Sequence, residues 1–448
     1  LSPAQKRLYF IHLLAPESTA YNETDIFTLV GEVDKNRLEK TFKKLIQRHE
    51  SLKTSYVMVG DEPVQRIHET VDFAIEYFTA DPGERTNEII NSFFKPFNLS
   101  QAPLLRAGLL KPGSFPTILM VDMHHIGTDG VSIQIQRKDF MSLYAKMELP
   151  PLKLQYKDFS EWQNRQLKSG EIKKQEEYWV NRFKGHIPAL VLPTDYPRPP
   201  DTITPEGGSI DFMIDGQLAI DLRRALKETG TTMYMFLLTV YYILLAKYSG
   251  QEDIVVGSPV AGRRHDDLKE IIGMFVNMLS LRNQPAKHKT FKQFLEEVKI
   301  NAIDAYDNQD YQFDELVSQL GLQGTSTQNP MFRAVFGTID IDEPAEPVLE
   351  DEEAGEIEEK PFEYQKFIPK YDLRLAMSDL DTKVFLCLQY SKSIFKDTST
   401  EKMSKRYMEI LEQVLKKPGI LLKDITLSHE LLITKSHTLQ QYEEGFEF

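Results

Sequence analysis

The sequence predicts an α/β protein built as two lobes. The chain has 448 residues, and a single hydrophobic core stops growing at about 250–300 residues. Segments with helical periodicity alternate with short apolar runs of strand length in both halves. Between the two series lies "HIPALVLPTDYPRPPDTITPEGG", 186–208, a proline-rich passage with neither period.

The first helix expected from pattern follows Asp34, a residue type that caps helix N-termini, and carries Leu38, Phe42, Leu45 and Ile46 on one face. "TILMVDMHH", 117–125, is a nearly continuous apolar run after a proline and reads as a buried strand. After Gly130, the residues Ile133, Gln136, Phe140, Leu143, Tyr144 and Met147 fall on successive helical turns. "HHIGTDG", 124–130, therefore leaves a strand and enters a helix through a tight turn. The second half repeats this plan: "SIDFMID" as a strand, 217–230 and 232–249 as helices, and "DIVVGSP" as a strand. A strand over 382–395, a helix over 399–416 and a linker or tail complete the chain. Identity between the halves is weak, so the shared plan is not a residue-level repeat.

Composition narrows the function classes. Cys387 is the single cysteine, so no disulfide forms within the chain and a cytoplasmic protein is expected. Residue 1 is a leucine and no N-terminal signal pattern follows, so the chain is read as a piece of a longer polypeptide. The most apolar run, 233–246, falls short of the ~20 residues that cross a bilayer and reads as a buried helix. The formal charge is −14. Most of it sits in 340–363, which holds twelve acids and one lysine and reads as a solvated insertion between strands. A docking surface for a basic partner is the alternative. No basic stripe suggests a nucleic-acid partner.

His124 and His125 raise three readings: metal ligands, two structural histidines, or one catalytic imidazole beside a support. Consecutive side chains on a strand point to opposite faces, so both cannot reach one ion without distortion. No further ligand stands at a useful spacing, and no metal is expected. A catalytic reading needs one exposed imidazole, held in orientation, that can accept a proton near neutral pH.

"MHHIGTDGVS" resembles the HHxxxDG signature of the condensation domains of nonribosomal peptide synthetases, a superfamily that includes chloramphenicol acetyltransferase. Other stretches resemble that family's further motifs in order: "LSPAQKRLYF" (1–10), "RHESLKT" (48–54), "YKDFSEW" (156–162), "IGMFVNMLSLR" (272–282) and "NQDYQFDEL" (308–316). The last motif is "STQNPMF", with Gln328 where arginine is usual. Together they span residues 1–332.

The resemblance implies two chloramphenicol-acetyltransferase-like lobes in a V-shaped pseudo-dimer with a tunnel between them. The lobes are placed at 1–180 and 181–425, and 426–448 becomes a linker or tail toward a following adenylation domain. Upstream and downstream peptidyl carrier proteins are the implied partners, each bringing its substrate on a 4'-phosphopantetheine arm. The domain itself is expected to bind no cofactor, metal, nucleic acid or membrane. The acceptor amine attacks the donor thioester, and the peptide moves downstream. His125 matches the second motif histidine and is expected to hydrogen-bond or deprotonate that amine. His124 and Asp129 are expected to hold the loop, with Arg282 as the partner of Asp129. Gly130 is expected to leave space for the reactants and offer its amide to the oxyanion. Ser132 and Asn277 are expected to line the tunnel. "RHESLKT" is read as helix-end architecture, "YKDFSEW" as packing with Trp162 as its anchor, and "NQDYQFDEL" as a lobe contact or carrier-docking edge.

Other functions are weighed against this. An epimerization domain shares the motif, but no "EGHGRE"-like stretch occurs. A heterocyclization domain would replace the histidines with an Asp-x-x-x-x-Asp pattern. An acyltransferase using free coenzyme A and a non-catalytic carrier-interaction module are the remaining alternatives. Among condensation subtypes, "STAYNETDIFTLVG" (18–31) and "RHE" resemble the form that takes an L-residue donor.

Overall fold

The computed structural model describes residues 1–30, 33–80, 86–112, 116–199, 206–322, 329–339, 358–361 and 369–428. Gln328 and the whole 429–448 segment, and with them the expected departure in the last motif and most of the expected tail, lie outside the described residues.

Among the described residues two large sheets organise the chain, beside a two-stranded hairpin of Thr54–Val59 and Glu62–Ile67. The first has five strands in the order Glu358–Pro361, Asn22–Val30, Thr117–His124, Leu105–Pro112, Glu76–Ala80. Its pairings are antiparallel except the last, which is parallel. The second has six strands in the order Gly207–Ile214, Lys383–Ser391, Leu373–Leu380, Ala334–Thr338, Ile254–Val260, Asn277–Asn283.

Strand periodicity explains why Thr117–His124 is apolar along its length. Leu119, Val121 and Met123 face one core, shared with Leu38, Phe42 and Leu45 of helix Lys35–Arg48 and Ile135 and Phe140 of helix Gly130–Tyr144. Ile118 and Met120 face the other side, against Ile90 and Phe93 of helix Thr86–Phe93. Both faces are covered, so alternation with polar residues is lost. Asp122 and His124 share the second face by the same period of two.

The helix after Gly130 ends at Tyr144, and the chain turns at Lys146 with φ +60°. Met147 was expected on this helix; it lies beyond the turn and is exposed. The apolar run 233–246 forms the buried helix Met233–Ser249, begun by the Thr232 cap and ended at Gly250 in the left-handed region. Its neighbours in the core include Tyr407, Ile410 and Leu411 of helix Asp397–Lys416. Each leucine fully buried there contributes about 1.5–3 kcal/mol. Among the described residues, no single helix is long and apolar enough to cross a membrane.

Ile172 and Trp179 already belong to the core of the second sheet, so the chain enters that core near residue 172. A separate apolar cluster forms the seam between the halves. It joins Leu8 and Tyr9, Tyr56, Ile126, Tyr156 and Phe159 to Leu268, Ile271, Met274 and Phe275. Of the acidic run, 340–357 and 362–363 lie outside the described residues. Between them, Glu358–Pro361 forms a strand paired with Phe27–Val30 of the first sheet, an element not expected within the insertion. Backbone pairing does not require apolar side chains, which is why composition pointed elsewhere.

Candidate active site

The site grows from the loop that joins Thr117–His124 to helix Gly130–Tyr144. Its first histidine and its aspartate are first of all caps. His124 Nδ1 accepts from the Ile126 amide at 3.1 Å and opens the 3₁₀ turn His125–Gly127. Asp129 Oδ1 accepts from the Ser132 amide at 2.8 Å and caps the following helix. The His125 amide donates to the Tyr21 carbonyl at 2.8 Å. Gln5 Nε2 and the Tyr56 hydroxyl donate to the Ile126 carbonyl at 2.9 and 3.2 Å. The backbone of the turn is thus held from both sides.

The two imidazoles have different surroundings. His124 is buried against His12 and Phe97. Burial, with smaller contributions from His125 and His12, pulls its pKa down to about 3, so it stays neutral. His125 keeps 15% of its side chain exposed. Its Nδ1 lies 2.7 Å from the Thr128 carbonyl, which can only accept, so Nδ1 carries the hydrogen. Neutral His125 therefore presents Nε2 as a free lone pair. Burial and then Lys370 lower its pKa, against an opposing pull from Glu23, which keeps that lone pair available at neutral pH.

Asp129 lies in a sealed network. Its Oδ1 also accepts from the Ser132 hydroxyl at 2.7 Å and from Arg263 at 3.0 Å, and Oδ2 from the Phe275 amide at 2.9 Å. Arg263 further donates to the carbonyls of Leu268 and Ile271, at 2.8 and 2.6 Å, and lies over the Phe275 ring. The aspartate and arginine side chains are 2% and 4% exposed. The expected partner, Arg282, is elsewhere: it pairs with Asp253 at 2.6 Å and bonds the carbonyl of His186. Asn277–Asn283 is the outermost strand of its sheet, and Arg282 there pairs with Asp253, just ahead of the adjacent strand Ile254–Val260. The loop after Ile254–Val260 delivers Arg263 instead. Gly262, at φ +67°, makes this approach possible, since a Cβ there would lie 2.2 Å from the Phe275 carbonyl oxygen. A glycine ahead of two arginines just past a strand, "AGRR", was the available signal.

Ser132 and Asn277 do not line an open space. Ser132 is fully buried, and its hydroxyl also bonds the carbonyl and amide of Gly273 at 2.8 and 3.0 Å. Asn277 is buried and holds Gln309, Tyr311 and Phe313 through their backbones. Gly130 does face open space, as an added Cβ would meet no atom within 4 Å.

The accompanying motifs are supports. Arg48 and His49 of "RHESLKT" hold Asp139 on the helix behind the loop, at 2.8 and 2.9 Å. In "YKDFSEW" the anchors are Tyr156 and Phe159, both buried, while Trp162 is 44% exposed. Each step of three residues falls about 60° short of a full helical turn, so Trp162, two steps from Tyr156, sits at the rim with its ring 5.7 Å from that of Phe159. The Tyr156 hydroxyl donates to the Met274 carbonyl at 2.7 Å, and its ring presses on Gly273, where a Cβ would come within 2.0 Å. Asp314 of "NQDYQFDEL" pairs with Arg7 at 3.2 Å, across the seam.

Sequence reasoning missed Glu23 and Lys370. Glu23 Oε1 lies 3.7 Å from His125 Nε2 and accepts from Lys370 at 3.2 Å. Tyr21 stacks on His125 with centroids 6.4 Å apart, and Lys370 lies over the Tyr21 ring. Among the described residues, no three His, Cys, Asp or Glu side chains come together as a metal site would require.

The family model for the condensation domain matches residues 1–431. This chain belongs to the condensation domain family. Gramicidin S synthase 2 of Aneurinibacillus migulanus is 42% identical over 432 residues, covering 96% of the condensation domain and 10% of the synthase. Bacitracin synthase 3 of Bacillus licheniformis is 43% identical over 417 residues, 93% of the domain and 6% of the synthase. The domain thus spans a tenth or less of these nonribosomal peptide synthetases. Solved structures share the fold at low identity. A four-domain nonribosomal peptide synthetase bound to AMP and glycine aligns with TM-score 0.83 and 21% identity, over 96% of this chain and 34% of that one. The X-domain in complex with OxyB from teicoplanin biosynthesis aligns with TM-score 0.84 and 22% identity, over 96% of each chain. The expected α/β condensation-domain fold is therefore present.

Proposed function

We propose that this domain forms peptide bonds between two carrier-bound substrates, with His125 receiving the attacking amine. The observation that carries this is the fixed tautomer: the Nδ1 bond to Thr128 leaves a free Nε2 lone pair on His125, whose side chain solvent reaches while those of His124 and Asp129 are buried. The acceptor nitrogen attacks the donor thioester carbonyl, the C–N bond forms, and the C–S bond breaks. The thiolate of the donor arm leaves and takes up the proton lost by the amine. Fixing both reactants on tethers supplies much of the acceleration, and general-base help adds about 10²–10⁴-fold.

The upstream carrier brings the acyl or peptidyl donor and the downstream carrier the aminoacyl acceptor, each on phosphopantetheine. An adenylation domain of the same synthetase loads the acceptor, and the assembly works in the cytoplasm. Thioester aminolysis is redox-neutral and its substrate arrives already activated, so the domain's task is to place and deprotonate the amine.

A mass-spectrometric assay with defined donor and acceptor carriers tests this. The expected product is the elongated peptide on the acceptor carrier, with the donor's configuration unchanged. An inverted donor residue without elongation would make the domain an epimerase, and no product from any loaded pair would make it an interaction module.

A further inference from the structure

Two acceptors stand side by side at the reactive end of His125. One is its Nε2 lone pair, and the other is the Glu23 carboxylate, 3.7 Å away. That gap exceeds a hydrogen bond, and neutral His125 has no proton to place in it. Among the described residues, Glu23 Oε2 has no hydrogen-bond partner, while Oε1 is engaged by Lys370. Glu23, His125 and Lys370 retain 25%, 15% and 35% side-chain exposure, so solvent reaches all three. Lys370 supplies one N–H to Oε1, the oxygen nearest Nε2, and the remaining lone pairs of the carboxylate and of Nε2 leave room for a second cationic donor with several N–H groups.

We propose that Glu23 receives the α-ammonium group of the aminoacyl acceptor, with one N–H directed to its carboxylate and another to Nε2 of His125. This rests on the reading of the domain as a condensation enzyme and names the form in which its nucleophile arrives. An α-amino group has a pKa of about 7.7–8.0, so much of the acceptor is protonated at neutral pH and cannot attack. Docked here, the N–H bond facing Nε2 breaks. Its electron pair stays on the substrate nitrogen and its proton passes to the imidazole. The imidazolium so formed lies beside the carboxylate, and the free amine is left in place to attack.

The surrounding charges suit this sequence. Burial alone would raise the Glu23 carboxyl, but Lys370, His125 and Arg374 outweigh it and hold its pKa at about 2. The carboxylate is thus a permanent anion. Lys370 comes from the second lobe, close to the strand Leu373–Leu380. Its charge weakens the hold of the site on the substrate's proton without removing the carboxylate. Asp129, behind the loop, and His124 are the other groups that act on His125. Both are enclosed: one sealed by Arg263, the other held neutral.

Glu23→Gln keeps shape and removes the charge. With acceptor carrier varied near pH 7, the half-saturating concentration should rise about 10–100-fold, the range for a hydrogen bond to a charged group. The deficit should narrow toward pH 9, where the acceptor amine is already neutral. Lys370→Met breaks the same ion pair but keeps the carboxylate, so its half-saturating acceptor concentration should keep the wild-type pH dependence between about pH 7 and 9. The proposal is overturned if the Glu23→Gln deficit in half-saturating concentration is independent of pH, or if Lys370→Met shows the same deficit at pH 7 with the same recovery toward pH 9, since the ion pair rather than the anion would then be responsible. Wild-type elongation in the same assay separates this outcome from failure of the condensation reading itself, in which no variant and no wild type would form peptide.

Discussion

The Asp129–Arg263 and Glu23–Lys370 pairs both join the first half of the chain to the second, and both flank the loop that carries His125. Asp129 and Arg263 are almost wholly enclosed, and every carboxylate oxygen has a donor. Glu23 and Lys370 are reached by solvent, and one carboxylate oxygen is left open. Breaking an enclosed pair from one side strands a charge away from water, whereas a solvent-reached pair is screened. The sealed pair therefore fixes geometry, and the open one keeps capacity for a substrate.

Substitutions can break this contrast. The largest effect is expected on activity from His125→Ala, which should lower peptide transfer by at least about 10²–10⁴-fold while the thermal unfolding midpoint stays near wild type. Transfer at the wild-type rate would remove His125 from the chemistry. Next, Asp129→Ala or Arg263→Ala should cost about 3–5 kcal/mol of stability, read as a lowered midpoint in denaturant. A stable but inactive Asp129→Ala would instead place Asp129 in the reaction. Ser132→Ala, which removes one buried hydroxyl from the same network, should cost about 1–3 kcal/mol, with activity per folded molecule retained. The smallest effect is expected from Arg282→Ala, whose partially exposed pair with Asp253 is worth about 0.2–1 kcal/mol, with no loss of transfer. Equal destabilisation by the Arg263 and Arg282 variants would erase the distinction between them.

The pH dependence sharpens the same comparison. Burial and Lys370 lower the pKa of His125, so the neutral imidazole persists below the ordinary histidine value of about 6.5. The acid limb of the rate at saturating acceptor should accordingly fall below that pH. Lys370→Met removes one of the two depressing causes and should move the limb upward, as stopped time points across pH 5–8 would show.

The apolar periods, caps and turn residues placed most elements. Leu38, Phe42, Leu45 and Ile46 share a helix face because 3.6 residues make a turn, and Asp34 caps that helix as its chemistry requires. Strand geometry and the lack of a further ligand at a useful spacing both spoke against the metal reading of the histidine pair. His124 and His125 then differed for a local reason as well: one ring turns back to cap its own turn, and the next ring follows the carbonyl of Thr128 outward.

The alternating elements, the motif loop and the family resemblance were legible along the chain, because these depend on residues close together in it. Folding set which arginine meets Asp129, that Trp162 is half exposed, and that Ser132 and Asn277 are consumed by buried hydrogen bonds. It also brought Glu23 to Lys370, 347 residues apart, and inserted Glu358–Pro361 into the first sheet. Such pairings depend on where loops return across the seam, and a local pattern holds no record of that path. Charge type was legible at each position; the partner of each charge was set by the fold.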